Sequence, residues 1–80
     1  MNKPKQLTLD FLSEEIERAR SKFPTNKLLL AALMEEVGEL SKALIENEPA
    51  QNVITEAIQV ACVAIRIAEE GESSFPEFKP

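Results

Sequence analysis

Eighty residues with 44% hydrophobic content and a net charge of −5 make one domain at most. The acidity excludes a non-specific nucleic-acid binder, which needs Lys and Arg against phosphates. Histidine is absent, so imidazole acid–base chemistry and imidazole metal ligation are excluded too. The single Cys62 cannot close an internal disulfide. It lies in an apolar run and reads as a buried structural thiol. The opening residues 1–6 lack the apolar core of a signal peptide. The longest apolar run, residues 60–65, is too short to span a bilayer. A cytoplasmic protein with no membrane partner is expected.

After a loose polar lead-in over residues 1–6, Leu9, Phe11, Leu12, Ile16, Ala19 and Phe23 recur at spacings of three and four. That pattern predicts an amphipathic helix with Thr8 as its N-cap, stopped near Lys22 or Phe23 by Pro24. Glu14 and Arg18 are spaced as an i,i+4 ion pair on its outer face. A second helix is expected from about Lys27 to Glu46, capped by Thr25 or Asn26. Leu29, Leu30, Leu33, Val37, Leu40, Leu44 and Ile45 form its apolar stripe, with Gly38 at mid-helix. A turn centred on Asn47 and Glu48 leads past Pro49 into a third helix, from Ala50 or Asn52 to Glu70, with Gly71 at C′. The third helix is apolar nearly all round, which predicts burial on several sides. One small chain cannot supply that cover, so a subunit interface is expected. Residues 72–80 hold two prolines and are expected as an extended tail pinned by Phe75 and Phe78.

The carboxylates carry the chemistry. Glu36 and Glu39 are three apart and share a side of the second helix, flanked by Glu35; Glu56 and Gln59 are three apart on the third. In an antiparallel hairpin, Glu39 falls level with Glu56 and Glu36 with Gln59, because each pair is equidistant from the turn. Such a cluster suits a hard divalent cation with oxygen ligands, because packed carboxylates without one repel each other. The competing reading makes Glu35, Glu36 and Glu39 the wet side of a helix. Glu56 resists it, lying in a helix with little wet surface. Di-iron carboxylate bundles use Glu-x-x-His pairs, which this chain lacks.

The pattern Glu35-Glu36-x-x-Glu39 followed by Glu56-x-x-Gln59 resembles the Glu-Glu-x-x-Glu…Glu-x-x-Asp signature of the MazG-like all-α nucleoside triphosphate pyrophosphohydrolases, over roughly residues 28–70. The resemblance implies an all-α fold of three helices per chain, with four-helix-bundle cores completed in homodimers or homotetramers. It also implies Mg²⁺ (or Mn²⁺) as cofactor and cleavage of (d)NTPs to a nucleoside monophosphate and pyrophosphate. Carried over, Glu36, Glu39, Glu56 and Gln59 match metal positions, and Glu35 matches the acid that serves catalysis or water activation. Gln59 stands where the family has Asp. It can lend a carbonyl oxygen but neither charge nor basicity. Lys27, Lys42 and Arg66 are candidate phosphate contacts by proximity, and Arg18, Arg20 and Lys22 by analogy to a lid. Phe11, Phe23, Phe75 and Phe78 are the aromatics available for stacking on a base, with Phe11 and Phe23 expected in the core. The alternative is a catalytically impaired helical oligomerisation module of the same fold.

Overall fold

The computed structural model describes residues 2–80; the part of the expected lead-in that falls on Met1 lies outside them. The described residues form three helices and no strand: α1 Gln6–Lys22, α2 Leu29–Ile45 and α3 Ala50–Glu70. Helix α3 is the spine. Both α1 and α2 pack on it, and they do not pack on each other. The α2–α3 pair is the expected hairpin. Its turn is made by Asn47 at positive φ and by the Glu48 N–H donating to the Ala43 carbonyl at 2.9 Å.

Helix α1 starts earlier than the spacing predicts. Lys5 is the N-cap and Thr8 lies inside the helix. The Gln6 side chain donates to Asp10 at 2.9 Å and spans the first turn, so the lead-in is shorter than expected. The helix ends at Lys22, where the Phe23 N–H still reaches the Ala19 carbonyl before Pro24 breaks the pattern. Arg18 pairs with Glu15 and not with Glu14; Glu15 is half-buried and also meets Gln59 of α3, whereas Glu14 is exposed.

Neither Thr25 nor Asn26 caps α2. Thr25 Oγ1 accepts the Lys27 N–H within the loop, and Asn26 Nδ2 donates to the Glu70 carbonyl at the end of α3. The N-cap of α2 is Leu28, at a left-handed φ of 63° and with no side-chain cap of its own. A carboxylate from the far end of the chain lies near this end of α2. Glu72 is 5% exposed and accepts the Ser74 N–H at 2.7 Å. That bond holds its carboxyl below the usual range, and the Leu30 and Leu28 N–H groups lower it further.

The tail is therefore not extended. The Phe75 N–H donates to the Glu72 carbonyl and the Phe78 N–H to the Phe75 carbonyl. These turns bring Pro80 back against Gly71, where a Cβ would meet the proline ring at 3.3 Å. Gly71, at φ 78°, is required twice, by backbone conformation and by that approach. Phe75 and Phe78 stay about half exposed, so neither is sunk in a groove.

Buried apolar residues are few among the described residues: Leu29, Ala43 and Cys62. The accessible surface is 6091 Å², against about 4,800 Å² for a compact monomer of this mass. The radius of gyration of 13.5 Å likewise exceeds the roughly 12 Å of a compact chain of this length. No helix among the described residues is long and apolar enough to cross a membrane.

Candidate metal centre

The hairpin brings Glu36 and Glu39 of α2 against Glu56 of α3. One carboxylate oxygen from each lies within 4.8 Å of the other two. Glu36 sits on the side of α2 that faces α3, on the line of Leu29, Leu33, Leu40 and Ala43, which are all at least partly buried. Glu39 lies one turn on at the edge of that line and is exposed. Glu56 lies on the line of Val53, Val60 and Val63, which meets α2.

This arrangement is costly as it stands. Glu36 Oε2 and Glu56 Oε2 are buried with no hydrogen-bond partner, where a satisfied core leaves few such atoms. Burial pushes the Glu36 carboxyl up, and the negative fields of Glu39 and Glu35 add to it. The Glu39 carboxyl is also raised, first by the Glu56 carboxylate beside it and by that residue's charge. The donor set is all oxygen and anionic, and two of its oxygens lack partners. These residues fit a hard divalent cation such as Mg²⁺.

Glu35 is exposed beside the group and outside it. Lys42, one turn beyond Glu39, is exposed and its charge eases the load on Glu39. Lys27 is exposed in the α1–α2 loop.

Two expected site residues are used otherwise. Arg66 is 3% exposed. It holds Glu70 through two hydrogen bonds and donates to the Phe23 and Thr25 carbonyls. Its Nε and Nη2 are thus committed to structural partners, and its burial sets it apart from an exposed phosphate contact. Glu70, which also accepts from Arg20 at 2.7 Å, is lowered by these cations to about 2. Gln59 turns toward α1, where its Nε2 donates to the Glu15 carboxylate. Its position on α3 matches Cys62 and Arg66, which also face α1. Arg18 and Arg20 are both engaged, with Glu15 in one case and with Glu69 and Glu70 in the other.

Glu15 and Glu72 were not singled out by the sequence pattern. Glu15 had a signal, being three after Leu12 and four before Ala19 on the apolar stripe. Glu72 had none, since its role depends on a chain reversal. Phe11 and Phe23 depart from their expected core places: they are 59% and 58% exposed.

No family model matches the chain, and neither a curated protein nor a solved structure matches it.

Proposed function

We propose that this chain is a Mg²⁺-dependent nucleotide pyrophosphohydrolase that cleaves (d)NTPs to a nucleoside monophosphate and pyrophosphate. The observation that carries the reading is the convergence of Glu36, Glu39 and Glu56 within 4.8 Å, with two buried oxygens lacking partners. The resemblance of the Glu35-Glu36-x-x-Glu39 and Glu56-x-x-Gln59 segments to the MazG-like signature supports it. A divalent cation held by the three acids supplies charge neutralisation for a polyphosphate and for the departing pyrophosphate. Glu35, exposed beside the acids, is the group to accept a proton from the attacking water. Lys42 is the nearest uncommitted cation on α2 for a phosphate oxygen, and Lys27 remains free for the distal phosphates.

The working form in this reading is a cytoplasmic homodimer or homotetramer. The chain exposes about 1,300 Å² more than a compact monomer of its mass, which exceeds the roughly 800 Å² per partner of a standard interface. Exposed apolar residues line one face of the hairpin, with Leu30, Met34 and Val37 on α2 and Ala57 and Ala64 on α3. A second copy covering that face completes a four-helix core. The same face supports the second reading, a helical oligomerisation module without catalysis, which the turning of Gln59 toward Glu15 also favours.

The test is turnover of a panel of NTPs and dNTPs with and without Mg²⁺ or Mn²⁺, separating pyrophosphate from phosphate release. Pyrophosphate release that needs the metal and is lost in Glu36→Gln, Glu39→Gln and Glu56→Gln is expected. No turnover across the panel leaves the module reading standing.

A further inference from the structure

On the opposite flank of α3 from α2, a groove of about 420 Å³ opens between the first half of α1 and the first half of α3. Its volume is that of a small-ligand site. Phe11, Ile54 and Ile58 form its apolar lining, and Phe11 and Ile54 are each more than half exposed. The groove and the acid cluster draw on the same stretch of α3: Thr55 and Gln59, both lining the groove, stand one residue before and three residues after Glu56.

The charge on its walls is the wrong sign for phosphate. Glu14 and Glu15 face it against Arg18 alone, and Arg18 is already paired with Glu15. The uncharged end of a nucleotide is what suits it. The rim is also rich in acceptors. An ionised carboxylate only accepts, so the Glu15 contact fixes the amide of Gln59 with Nε2 toward α1. One of its N–H groups is spent there, and its Oε1 is an acceptor. Glu14 adds two acceptor oxygens. The Gln51 amide is directed to Thr55 Oγ1 at 3.4 Å.

Building on the pyrophosphohydrolase reading, we infer that the α1–α3 groove seats the nucleobase of the substrate, stacked on Phe11, and selects bases that carry an exocyclic amino group. Adenine and cytosine present a donor to Gln59 Oε1 and Glu14. Hypoxanthine and uracil present a carbonyl at the same position, which Gln59 Oε1 and the Glu14 carboxylate repel, and offer these acceptors a single ring N–H in place of two amino hydrogens. A site built around a hydrogen bond rejects the analogue that cannot make it more strongly than shape alone would.

The probes are free nucleosides, which bind without metal or phosphate. Titration of the full chain with adenosine, inosine, cytidine and uridine is followed by the methyl NMR signals of Ile54 and Ile58. Adenosine and cytidine are expected to shift both signals, with inosine and uridine at least about tenfold weaker, roughly 1.4 kcal/mol. Phe11→Ala, with helix content checked by circular dichroism, is expected to abolish the shifts. Equal response to inosine and uridine overturns the selectivity, and no response to any nucleoside overturns the site. Shifts that follow protein concentration and ignore nucleoside also overturn it, since a second copy then fills the groove. Nucleoside binding without NTP turnover upholds the groove and removes the enzyme reading, so the two failures are distinguishable.

Discussion

The Gln59 side chain donates to the Glu15 carboxylate, which Arg18 also holds through two hydrogen bonds. The residue at the fourth metal position of the motif therefore ties α1 to α3. Gln59→Asp is expected to leave Mg²⁺ affinity at the three acids unchanged, because position 59 faces α1. It is expected to lower stability by about 1–2 kcal/mol, because a carboxylate then faces Glu15 in place of a donor. Calorimetric Mg²⁺ titration and thermal melts check both. Affinity about tenfold tighter, or about 1.4 kcal/mol, would show that this side chain swings to the cluster.

The acid cluster gives the apo protein a distinctive pH profile. The carboxyls of Glu36 and Glu39 are raised in the fold, so the native state takes up protons before the unfolded state does. Their repulsion weakens the protein above their folded values and is relieved as pH falls toward the unfolded value of 4.5. Glu70, lowered to about 2, and Glu15 and Glu72, also lowered, act the other way. Their contribution is full above 4.5 and is lost on further acidification. Melts in chelator are expected to peak in mild acid, and Mg²⁺ is expected to raise the neutral-pH midpoint. At a hundredfold excess over Kd the gain is about 2.7 kcal/mol. Glu39→Gln is expected to be more stable than wild type in chelator at neutral pH and to lose the Mg²⁺ response. A flat profile that ignores Mg²⁺ sinks the metal assignment.

Arg66 is a strut. Arg66→Ala leaves the Phe23 and Thr25 carbonyls and part of Glu70 without a donor in a site 3% exposed. A loss of about 3–5 kcal/mol is expected, as when one partner is removed from a buried ion pair. Arg66→Lys keeps a charge for Glu70 but cannot reach both carbonyls, and is expected to lie between the two. The measurement is denaturant unfolding beside KM. A variant with native stability and a raised KM would return Arg66 to the phosphates.

The hairpin, its turn and the meeting of Glu36, Glu39 and Glu56 were legible because helical period and level pairing about Asn47–Glu48 are local arithmetic. Rotation about the helix axes was not. It decided that Gln59 meets Glu15 and that Arg66 is enclosed. These outcomes depend on α1 docking on α3, which no spacing within one helix encodes. The return of Glu72 to the start of α2 was illegible for a related reason. Glu72 lies more than forty residues from Leu28 in the chain, whereas capping motifs are read from adjacent residues. Thr25 and Asn26, the adjacent candidates, form loop contacts in its stead.

Gly38 tests which face of α2 a second copy covers. It is exposed, and an added Cβ there meets nothing within 4 Å. In the isolated chain Gly38→Ala therefore removes a helix-weakening residue at no steric cost, a gain of about 1 kcal/mol. Gly38 is flanked on its own helix by Met34 and Ile45, at 60% and 80% exposure. In the proposed assembly this is where two hairpins cross, and the missing side chain lets them approach. Gly38→Ala is then expected to stabilise the dilute monomer while weakening association, so that its melting gain vanishes or reverses as concentration rises. Light scattering across a concentration series, run beside thermal melts, reads both effects. A gain in melting temperature that persists at every concentration with an unchanged subunit number would move the interface off this face of α2.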